Sequence, residues 1–378
     1  MKELGLYIHI PFCVSKCHYC NFTSYPGFDN LKDDYVKAII QEILAFSSDA
    51  RNHIITSIYI GGGTPSCMSP ENISNILKAI FDSYNIAKDC EISTEANPNS
   101  ITLENAKLWK KCGINRVSVG LQSSNDELLK IINRPHKKSD YINAIKILKK
   151  AGFKNINTDI MLGLPNQTLT DVKETVDLVL KTHIPHISAY SLILEEDTPL
   201  YQMVQSGELV LPSEDTVLEM YDYVNNTLSK HKIFRYEVSN FSKKQNRCLH
   251  NLNCWNMIEY LGFGVSANGF INNIRYGNVL EIEKYIQNIN NNISVRDFTE
   301  NQTQEDLYDE YIMLKLRTTE GIDLNKIKTE FNIDLLETKK LEIDLFQKYG
   351  LVEIKNNYLY ATDKGFKVLN QIIIDLVC

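Results

Sequence analysis

Three cysteines near the start of the chain have the spacing that most clearly predicts chemistry. Cys13, Cys17 and Cys20 form a CxxxCxxC pattern directly after a short apolar run. One loop can bring these thiolates to a common centre, and such soft ligands are typical of zinc or iron–sulfur sites. Structural zinc would need a fourth ligand, for which His9 and His18 are the nearby candidates. Without it, one metal position stays open, as in a reactive 4Fe-4S cluster; a third interpretation is unpaired core cysteines.

Two further groups of residues follow apolar segments later in the chain. A glycine run would let a ligand approach the backbone and would expose consecutive amides, or it would merely turn the chain; it is made of Gly61, Gly62, Gly63 and Thr64. Glu95 and Asp159 lie in apolar surroundings, where an unpaired carboxylate is costly. They either cap a turn or pair with an arginine, or they bind a hydroxyl or ammonium group of a ligand.

Two nitrogen-bearing groups complete the set of candidates. Gln122 and Arg134 bracket a short helical segment, and the planar fork of an arginine suits a ligand carboxylate, although a solvated surface arginine is the alternative. His250 lies near Trp255 in an unusual loop over 248–256. An imidazole is a common axial ligand of haem iron and an indole packs on flat rings, whereas a loop histidine bonded to backbone is the alternative.

The elements that must position these residues follow a repeated β/α pattern. Short segments rich in Ile, Val, Tyr and Ser alternate with runs of helical period, and the predicted strands are 6–10, 57–60, 91–94, 116–119, 157–161 and 186–191. The candidate polar residues lie within or directly after successive strands, as at the mouth of a β/α barrel rather than at one switch point. Six units predict an α/β fold with a partial, laterally open (β/α)6 barrel.

The pattern changes after residue 200, and three units are predicted. Residues 1–200 form the barrel, and 201–290 form an extension that carries His250 and a glycine-rich turn over 262–269. A linker is expected at 288–293. Residues 291–378 read as helices at 304–317, 324–331 and 335–348 followed by a hairpin around Asn356 and Asn357, which resembles a small winged-helix module.

Composition limits the classes of function. The 378 residues carry a net charge of -7, which disfavours a general nucleic-acid surface. An odd number of cysteines, nine, fits a reducing compartment better than a disulfide framework, and the isolated Cys67, Cys90, Cys112 and Cys378 read as small apolar positions. There is no apolar run near the roughly 20 residues that span a bilayer and no secretory signal pattern. A cytoplasmic protein is therefore expected.

Taken together, these motifs resemble the radical SAM superfamily, within it the oxygen-independent coproporphyrinogen III oxidase-like group. The resemblance implies that the three cysteines bind a 4Fe-4S cluster whose fourth iron is chelated by S-adenosylmethionine (SAM), and that cluster reduction releases a 5'-deoxyadenosyl radical. It also implies that the glycine run meets the methionine amino group. The residues expected to contact other parts of SAM are Tyr19, Glu95, Gln122, Arg134 and Asp159.

Two branches of that group compete. The oxidase decarboxylates two propionates of coproporphyrinogen III, and it typically has an extra cysteine where this chain has Phe22, as well as an N-terminal extension before the cluster loop. The other branch, a haem chaperone, binds haem and delivers it to respiratory haem proteins. Its HNxxYW motif is matched from His250 to Trp255, with Cys254 replacing the tyrosine; Asn268 also replaces a family histidine.

The chaperone is the favoured hypothesis and the oxidase is the alternative. Haem is then the cargo, His250 belongs to its binding site, and haem-accepting respiratory proteins are the partners. Cleavage of SAM stays open. No nucleic acid and no membrane span are expected, while peripheral membrane contact and a homodimer stay open.

Overall fold

A sheet of parallel strands forms the centre of the molecule in the computed structural model, which describes residues 1–377 and leaves Cys378 outside the described residues. Each predicted strand is present, and the first five extend beyond their predicted apolar stretches. The strands are β1 Lys2–Ile10, β2 His53–Gly62, β3 Ile86–Ala96, β4 Arg116–Gln122, β5 Asn155–Leu162 and β6 His186–Ser191. Neighbouring strands pair in parallel from β1 to β6 in chain order.

Helices follow the strands because local caps and apolar stripes agree. Ser69 accepts a hydrogen bond from the Asn72 backbone at 3.1 Å, and Thr168 forms a capping box with Asp171. Their buried positions recur at three- and four-residue steps and pack on the sheet. The helices are α1 Lys32–Ala45, α2 Pro70–Ser83, α3 Leu103–Lys111, α4 Asp126–Ile131, α5 Lys138–Lys150 and α6 Leu169–Lys181.

The sheet continues past both sides of the barrel strands. The added strands are β7 Phe234–Arg235, β8 Asn240–Ser242, β9 Tyr260–Phe263, β10 Asn268–Ile271, β11 Ile274–Asn278 and β12 Arg296–Asn301. The order across the twelve strands is β12-β11-β10-β9-β1-β2-β3-β4-β5-β6-β8-β7. Strand β9 runs parallel beside β1, and β8 runs antiparallel beside β6. Because β12 and β7 do not pair with each other, the sheet is open, which confirms the α/β fold with a partial barrel.

Two local expectations about the extension are wrong, and a third is confirmed only in part. Its helices are α7 Pro199–Gln205, α8 Glu214–Lys230, α9 Leu249–Trp255 and α10 Ile282–Asn290. The expected loop over 248–256 is largely α9, the expected turn over 262–269 contains the end of β9 and the start of β10, and the expected linker over 288–293 begins inside α10. In α10, buried Ile282 and Tyr285 have helical spacing, which the many asparagines around them obscure.

A buried carboxylate fastens the extension to the barrel. Glu42 on α1 accepts hydrogen bonds from the Gly264 backbone at 2.8 Å, the Asn278 amide at 2.9 Å and the Tyr285 hydroxyl at 2.6 Å. Arg296 lies 3.4 Å from the same carboxylate. A fully buried charge is stable only when it is so satisfied, and these partners come from four different elements or turns between residues 264 and 296.

The C-terminal residues form the expected helices and hairpin around a separate apolar core. The elements are α11 Gln304–Leu316, β13 Ile322–Asp323, α12 Leu324–Lys326, a π-helix Ile327–Phe331, α13 Leu335–Thr338, α14 Lys340–Lys348, β14 Val352–Lys355, β15 Tyr358–Ala361, α15 Asp363–Phe366 and α16 Leu369–Val377. Two predicted helices are thus subdivided. Asn356 and Asn357 both have positive φ, as a two-residue hairpin turn requires.

Short elements complete the structure and lie mostly in the loops after the barrel strands. They are the paired segments Phe12–Cys13 and Tyr25–Pro26 and the 3-10 turns Asp29–Leu31, Pro65–Cys67, Pro98–Ser100 and Lys244–Asn246. Among residues 1–377, none of the helices combines the length and apolar character that a membrane-spanning helix needs.

Candidate functional site

A cavity of about 380 Å³ lies where the parallel strands end. This is the edge at which β/α barrels carry their working residues. The cavity collects most of the candidate side chains from separate parts of the sequence, and its lining includes Cys13, Cys17, Tyr19, Cys20, Gly62, Gly63, Thr64, Glu95, Gln122, Arg134 and Asp159. Gly61 lies directly before this lining in β2, whereas His250 is not part of it.

The cysteine loop is held by the segment after α4. The His18 backbone donates to the Ile132 carbonyl at 3.1 Å, and the Asn133 amide donates to the Lys16 carbonyl at 2.9 Å. Within the cavity, the Cys13 sulfur lies 3.3 Å from the Thr64 hydroxyl. Burial raises the pKa of the Cys13 and Cys20 thiols, which are free like Cys17. The cysteine loop is therefore anchored by contacts from a distant part of the chain.

The two histidines considered as fourth ligands point elsewhere. His9 lies 3.0 Å from the Tyr7 hydroxyl and 2.8 Å from the Thr23 carbonyl, so both ring nitrogens are engaged, and burial lowers its pKa to about 4. His18 bonds to the Ile131 carbonyl at 2.9 Å. Neither histidine lines the cavity.

The donor set fits a cluster better than a single ion. In residues 1–377, no three His, Cys, Asp or Glu side chains converge as ligands of one metal ion must. The thiols Cys13, Cys17 and Cys20 nevertheless face one cavity. In a 4Fe-4S cluster each cysteine binds its own iron, so thiols that share a cavity without converging on one point suit it.

The glycine run at the end of β2 brings backbone against the cysteine loop. A Cβ on Gly63 would lie 2.8 Å from the Phe12 carbonyl oxygen and 3.1 Å from the Cys13 sulfur, and Gly62 has a φ of +109°. The backbones of Gly63 and Thr64 donate to the Ile10 and Phe12 carbonyls, both at 2.8 Å. Only glycine permits this approach, and it leaves the run beside the thiol of Cys13.

The two acidic candidates are buried and already accept hydrogen bonds. Glu95 receives the Tyr59 hydroxyl at 2.8 Å, and Asp159 receives the Ser118 hydroxyl at 3.1 Å and the Asn157 amide at 2.7 Å. Burial raises the pKa of Glu95 to about 7 and also raises that of Asp159. Both carboxyls face the cavity with acceptor capacity remaining, so they can receive hydroxyl or ammonium donors.

Arg134 is directed into the cavity rather than into solvent. Its guanidinium donates to the Asn97 side chain at 2.6 Å, the Gly120 carbonyl at 2.8 Å and the Cys17 sulfur at 3.5 Å. Its Nε is buried and has no protein partner in the described residues. Gln122 also lines the cavity and has a left-handed conformation at an irregular point of β4. The unpartnered Nε is a donor that a bound carboxylate would satisfy.

Tyr19 forms an apolar wall of the cavity. It lies between two of the cysteines and packs with Leu128, Leu129 and Met161. Desolvation by burial raises the pKa of its hydroxyl. The ring therefore offers a flat, neutral surface beside the cysteine loop.

His250 lies deeper in the barrel, beside the middle of strands β1 and β2. It is only 6% exposed, its Nδ1 lies 3.1 Å from the Ser57 hydroxyl, and burial lowers its pKa to about 4. Helix α9 carries it there because the Glu91 carboxylate accepts the Leu249 and His250 backbone N–H groups at 3.0 and 3.2 Å. The structure therefore separates His250 from the other candidate residues.

Several polar residues of the site were not among the sequence candidates. Tyr59, Ser118 and Asn157 stand two positions before Gly61, Gly120 and Asp159, and so share their face of the strands. This two-residue spacing along the strands was the sequence signal that could have identified them. Asn97, which bridges Arg134 and Thr64, had no comparable signal because it lies beyond β3 in a loop.

Comparison with known families covers both ends of the chain. Residues 7–179 match the model of the radical SAM superfamily, and residues 302–368 match the HemN C-terminal domain. The superfamily implies a 4Fe-4S cluster and SAM, which fits the thiols and the unpartnered donor described above. The match over 302–368 identifies the C-terminal part as a module that other proteins also carry.

Relatives align over nearly the whole chain. The heme chaperone HemW of Bacillus subtilis (strain 168) is 35% identical over 370 residues, which cover 97% of both chains. The HemW protein of Lactococcus lactis (strain IL1403) is 33% identical over 98% of this chain and 96% of its own. The structure of coproporphyrinogen III oxidase (HemN) from Escherichia coli superposes with a TM-score of 0.86, covering 99% of this chain and 90% of that one. At 21% identity, that likeness shows the fold alone. The chain therefore belongs to the HemW family of the radical SAM superfamily.

Proposed function

We propose that this protein is a haem chaperone that carries a 4Fe-4S cluster, binds SAM beside it and delivers haem to respiratory haem proteins in the cytoplasm. The observation that carries the proposal is the alignment of HemW relatives along 97% of the chain at 35% identity. The HemN superposition supports only a common fold, so oxidase activity has no comparable support.

The cavity supports a specific assignment of ligands. Cys13, Cys17 and Cys20 would hold the cluster, and the glycine run with Thr64 would meet the methionine end of SAM. Arg134 offers its free Nε to a carboxylate, and the buried carboxyls of Glu95 and Asp159 offer acceptors to amino or hydroxyl groups. When bound, the cluster supplies electrons to SAM, and the protein supplies binding, orientation and exclusion of water.

The haem site is assigned to α9, which carries His250. His250 is neutral near pH 7 because burial lowers its pKa to about 4, and a neutral imidazole is the form that binds iron. It is almost fully enclosed, so haem ligation requires α9 to shift. His250 is therefore a haem ligand only in a rearranged state of the extension.

An anaerobic product assay separates the two activities. Protein with a reconstituted cluster is incubated with SAM, a reductant and coproporphyrinogen III, and haem binding is titrated in parallel by absorbance. We expect stoichiometric haem binding and no protoporphyrinogen above the level of a cluster-free Cys17→Ala control. Robust cluster-dependent protoporphyrinogen formation would overturn the chaperone assignment in favour of the oxidase.

The ligand assignments have their own controls. Bound iron and sulfide should be lost in Cys17→Ala but kept in Cys112→Ala, which alters a cysteine outside the cavity. His250→Ala should weaken or spectrally alter haem binding. Unchanged haem spectra and affinity would remove His250 from the haem site, and a colourless protein with one zinc would remove the cluster.

A further inference from the structure

A chain of side-chain contacts crosses the barrel interior from α9 to the cavity. The His250 ring stacks on the Tyr59 ring, with centroids 5.1 Å apart and an interplanar angle of 27°. The Tyr59 hydroxyl donates to Glu95 Oε1 at 2.8 Å. At the other end, the backbone of α9 is bound by Glu91, which lies four residues before Glu95 on the same strand.

We propose that His250 is a positioning residue that acts through Tyr59 on Glu95, and so links helix α9 to the SAM end of the barrel. The proposal rests on the proposed function in one respect, namely that Glu95 faces bound SAM. It adds a role for His250 that is separate from haem ligation, and it gives Tyr59 the role of transmitting the position of α9.

The Tyr59 ring has little freedom while His250 is in place. A Cβ on Gly61 would lie 2.8 Å from the Tyr59 ring, which shows how closely the backbone of β2 covers it. The Tyr7 ring stacks on it with centroids 6.4 Å apart. His250 is itself fixed, because Nδ1 bonds to Ser57 at 3.1 Å. Removal of the imidazole would leave a void beside Tyr59 and free its hydroxyl from Glu95.

Haem binding to His250 would act on the same contacts between His250, Tyr59 and Glu95. Iron binding would draw the imidazole away from Tyr59, since the ring cannot coordinate haem while it is enclosed by the barrel. Haem and SAM would then change each other's affinity by one and the same factor, as linkage requires. SAM would favour the arrangement of α9 in which His250 stacks on Tyr59.

The charge state of Glu95 offers a direct readout of the contact. The titratable and charged groups around it come from different strands: Tyr59 on β2, Asp159 on β5 and Arg116 on β4 act on its pKa, and Tyr7 on β1 and Tyr190 on β6 also interact with it electrostatically. The Tyr59 hydroxyl stabilises the carboxylate, so its loss must raise the pKa of Glu95 further. A mutation that only destabilised the fold would leave this pKa unchanged.

The experiment compares four variants in the full chain. Tyr59→Phe removes the hydroxyl but keeps the stack, His250→Ala removes the stack, and His250→Phe restores a ring. His53→Ala is the matched control, since His53 is a buried histidine of the same strand as Tyr59 that bonds to Glu259 instead. The Glu95 carboxyl is titrated by 13C NMR, with its signal identified from Glu95→Gln, and the SAM dissociation constant is measured against pH.

We expect the pKa of Glu95 to rise by about 1 pH unit in Tyr59→Phe and by a smaller amount in His250→Ala. His250→Phe should return it toward the wild-type value, and His53→Ala should leave it unchanged. The pH at which SAM binding strengthens should move upward in the same order. A wild-type pKa in His250→Ala would overturn the proposal, even if SAM binds. Shifted pKa values without any SAM binding would uphold the contact chain and overturn the assignment of SAM to this cavity.

Discussion

The guanidinium of Arg134 donates to the sulfur of Cys17 across 3.5 Å. The same group binds Asn97 and the Gly120 carbonyl, so one side chain ties the middle cysteine to the loop after β3 and to the end of β4. Cys17 is thus held in part by Arg134, which lies 117 residues later in the chain.

Replacing Arg134 should weaken the cluster before it affects folding. Lysine keeps the charge but cannot reach the side chain of Asn97, the Gly120 carbonyl and Cys17 together, because it lacks the planar fork. Outer partners of metal ligands are typically worth 10-fold or more in metal affinity, so we expect Arg134→Lys to lose iron at about 10-fold lower chelator concentration. Iron and sulfide per chain are measured during chelator titration. Arg317→Lys, outside the cavity, is the control, and equal resistance of both variants would contradict the prediction.

Two glycine substitutions should separate the site from the fold. A Cβ on Gly120 would lie 2.8 Å from Arg134 Nη2 and 3.0 Å from Gln122 Nε2, which are ends of flexible side chains. Gly120→Ala should therefore displace Arg134 and reduce cluster retention with little loss of thermal stability. In contrast, a Cβ on Gly262 would lie 2.0 Å from the Asn268 carbonyl oxygen. Gly262→Ala should lower expression or the melting temperature; the opposite ranking in thermal melts would refute this.

The Glu42 cluster should dominate the attachment of the extension. Glu42→Ala leaves the Arg296 guanidinium and the donors of Asn278 and Tyr285 buried without their shared acceptor. Loss of one partner of a buried charge typically costs about 3–5 kcal/mol of folding free energy. Urea unfolding should show this loss. Glu42→Gln keeps an acceptor and should lose less. If both variants unfold at the wild-type urea concentration, the carboxylate does not fasten the extension.

Glu237 should make stability depend on pH. Burial raises its pKa from 4.5 to about 7, so the folded state binds more protons than the unfolded state between these values. Its contribution is then most favourable below about pH 4.5 and is lost as pH rises to about 7. Relative to Glu237→Gln, the wild type should lose up to about 3 kcal/mol across this window. Urea midpoints of the two proteins at matched pH provide the measurement, and the difference cancels the opposite trend from buried histidines. A constant difference would exclude the raised pKa.

Local sequence signals were sufficient to predict the strands and helices of the barrel but not helix α9. The strands and helices up to residue 191 follow from alternating periodicity and caps such as Ser69 and Thr168, because each element carries its own signal. Helix α9 was missed, since its first turn is stabilised by Glu91 from a distant strand. A short segment held by such a tertiary contact cannot be recognised from its own residues.

The same distinction holds for the candidate site. Cysteine spacing and strand-end polarity bring Cys13, Glu95 and Asp159 to one cavity, because the ends of parallel strands meet there. Sequence did not reveal that Arg134 would contact Cys17, since the contact depends on how α4 packs. Nor did it reveal that His250 faces inward, because the orientation of α9 is determined by Glu91 and Ser57.

The contacts that α9 and β9 make with the barrel strands also determine when the barrel can finish folding on the ribosome. Glu91 accepts a hydrogen bond from a backbone group 158 residues later in the chain, and β1 pairs with β9 near residue 260. Neither contact can form until those residues have been synthesised. A nascent chain that has emerged only to residue 200 therefore exposes the edge of β1 that β9 later covers, and an open sheet edge invites misfolding or chaperone capture. Synthesis must pass α9 and β9 before the first strand acquires its full set of neighbours, so the barrel that begins the chain cannot be completed until residues near 260 have been made.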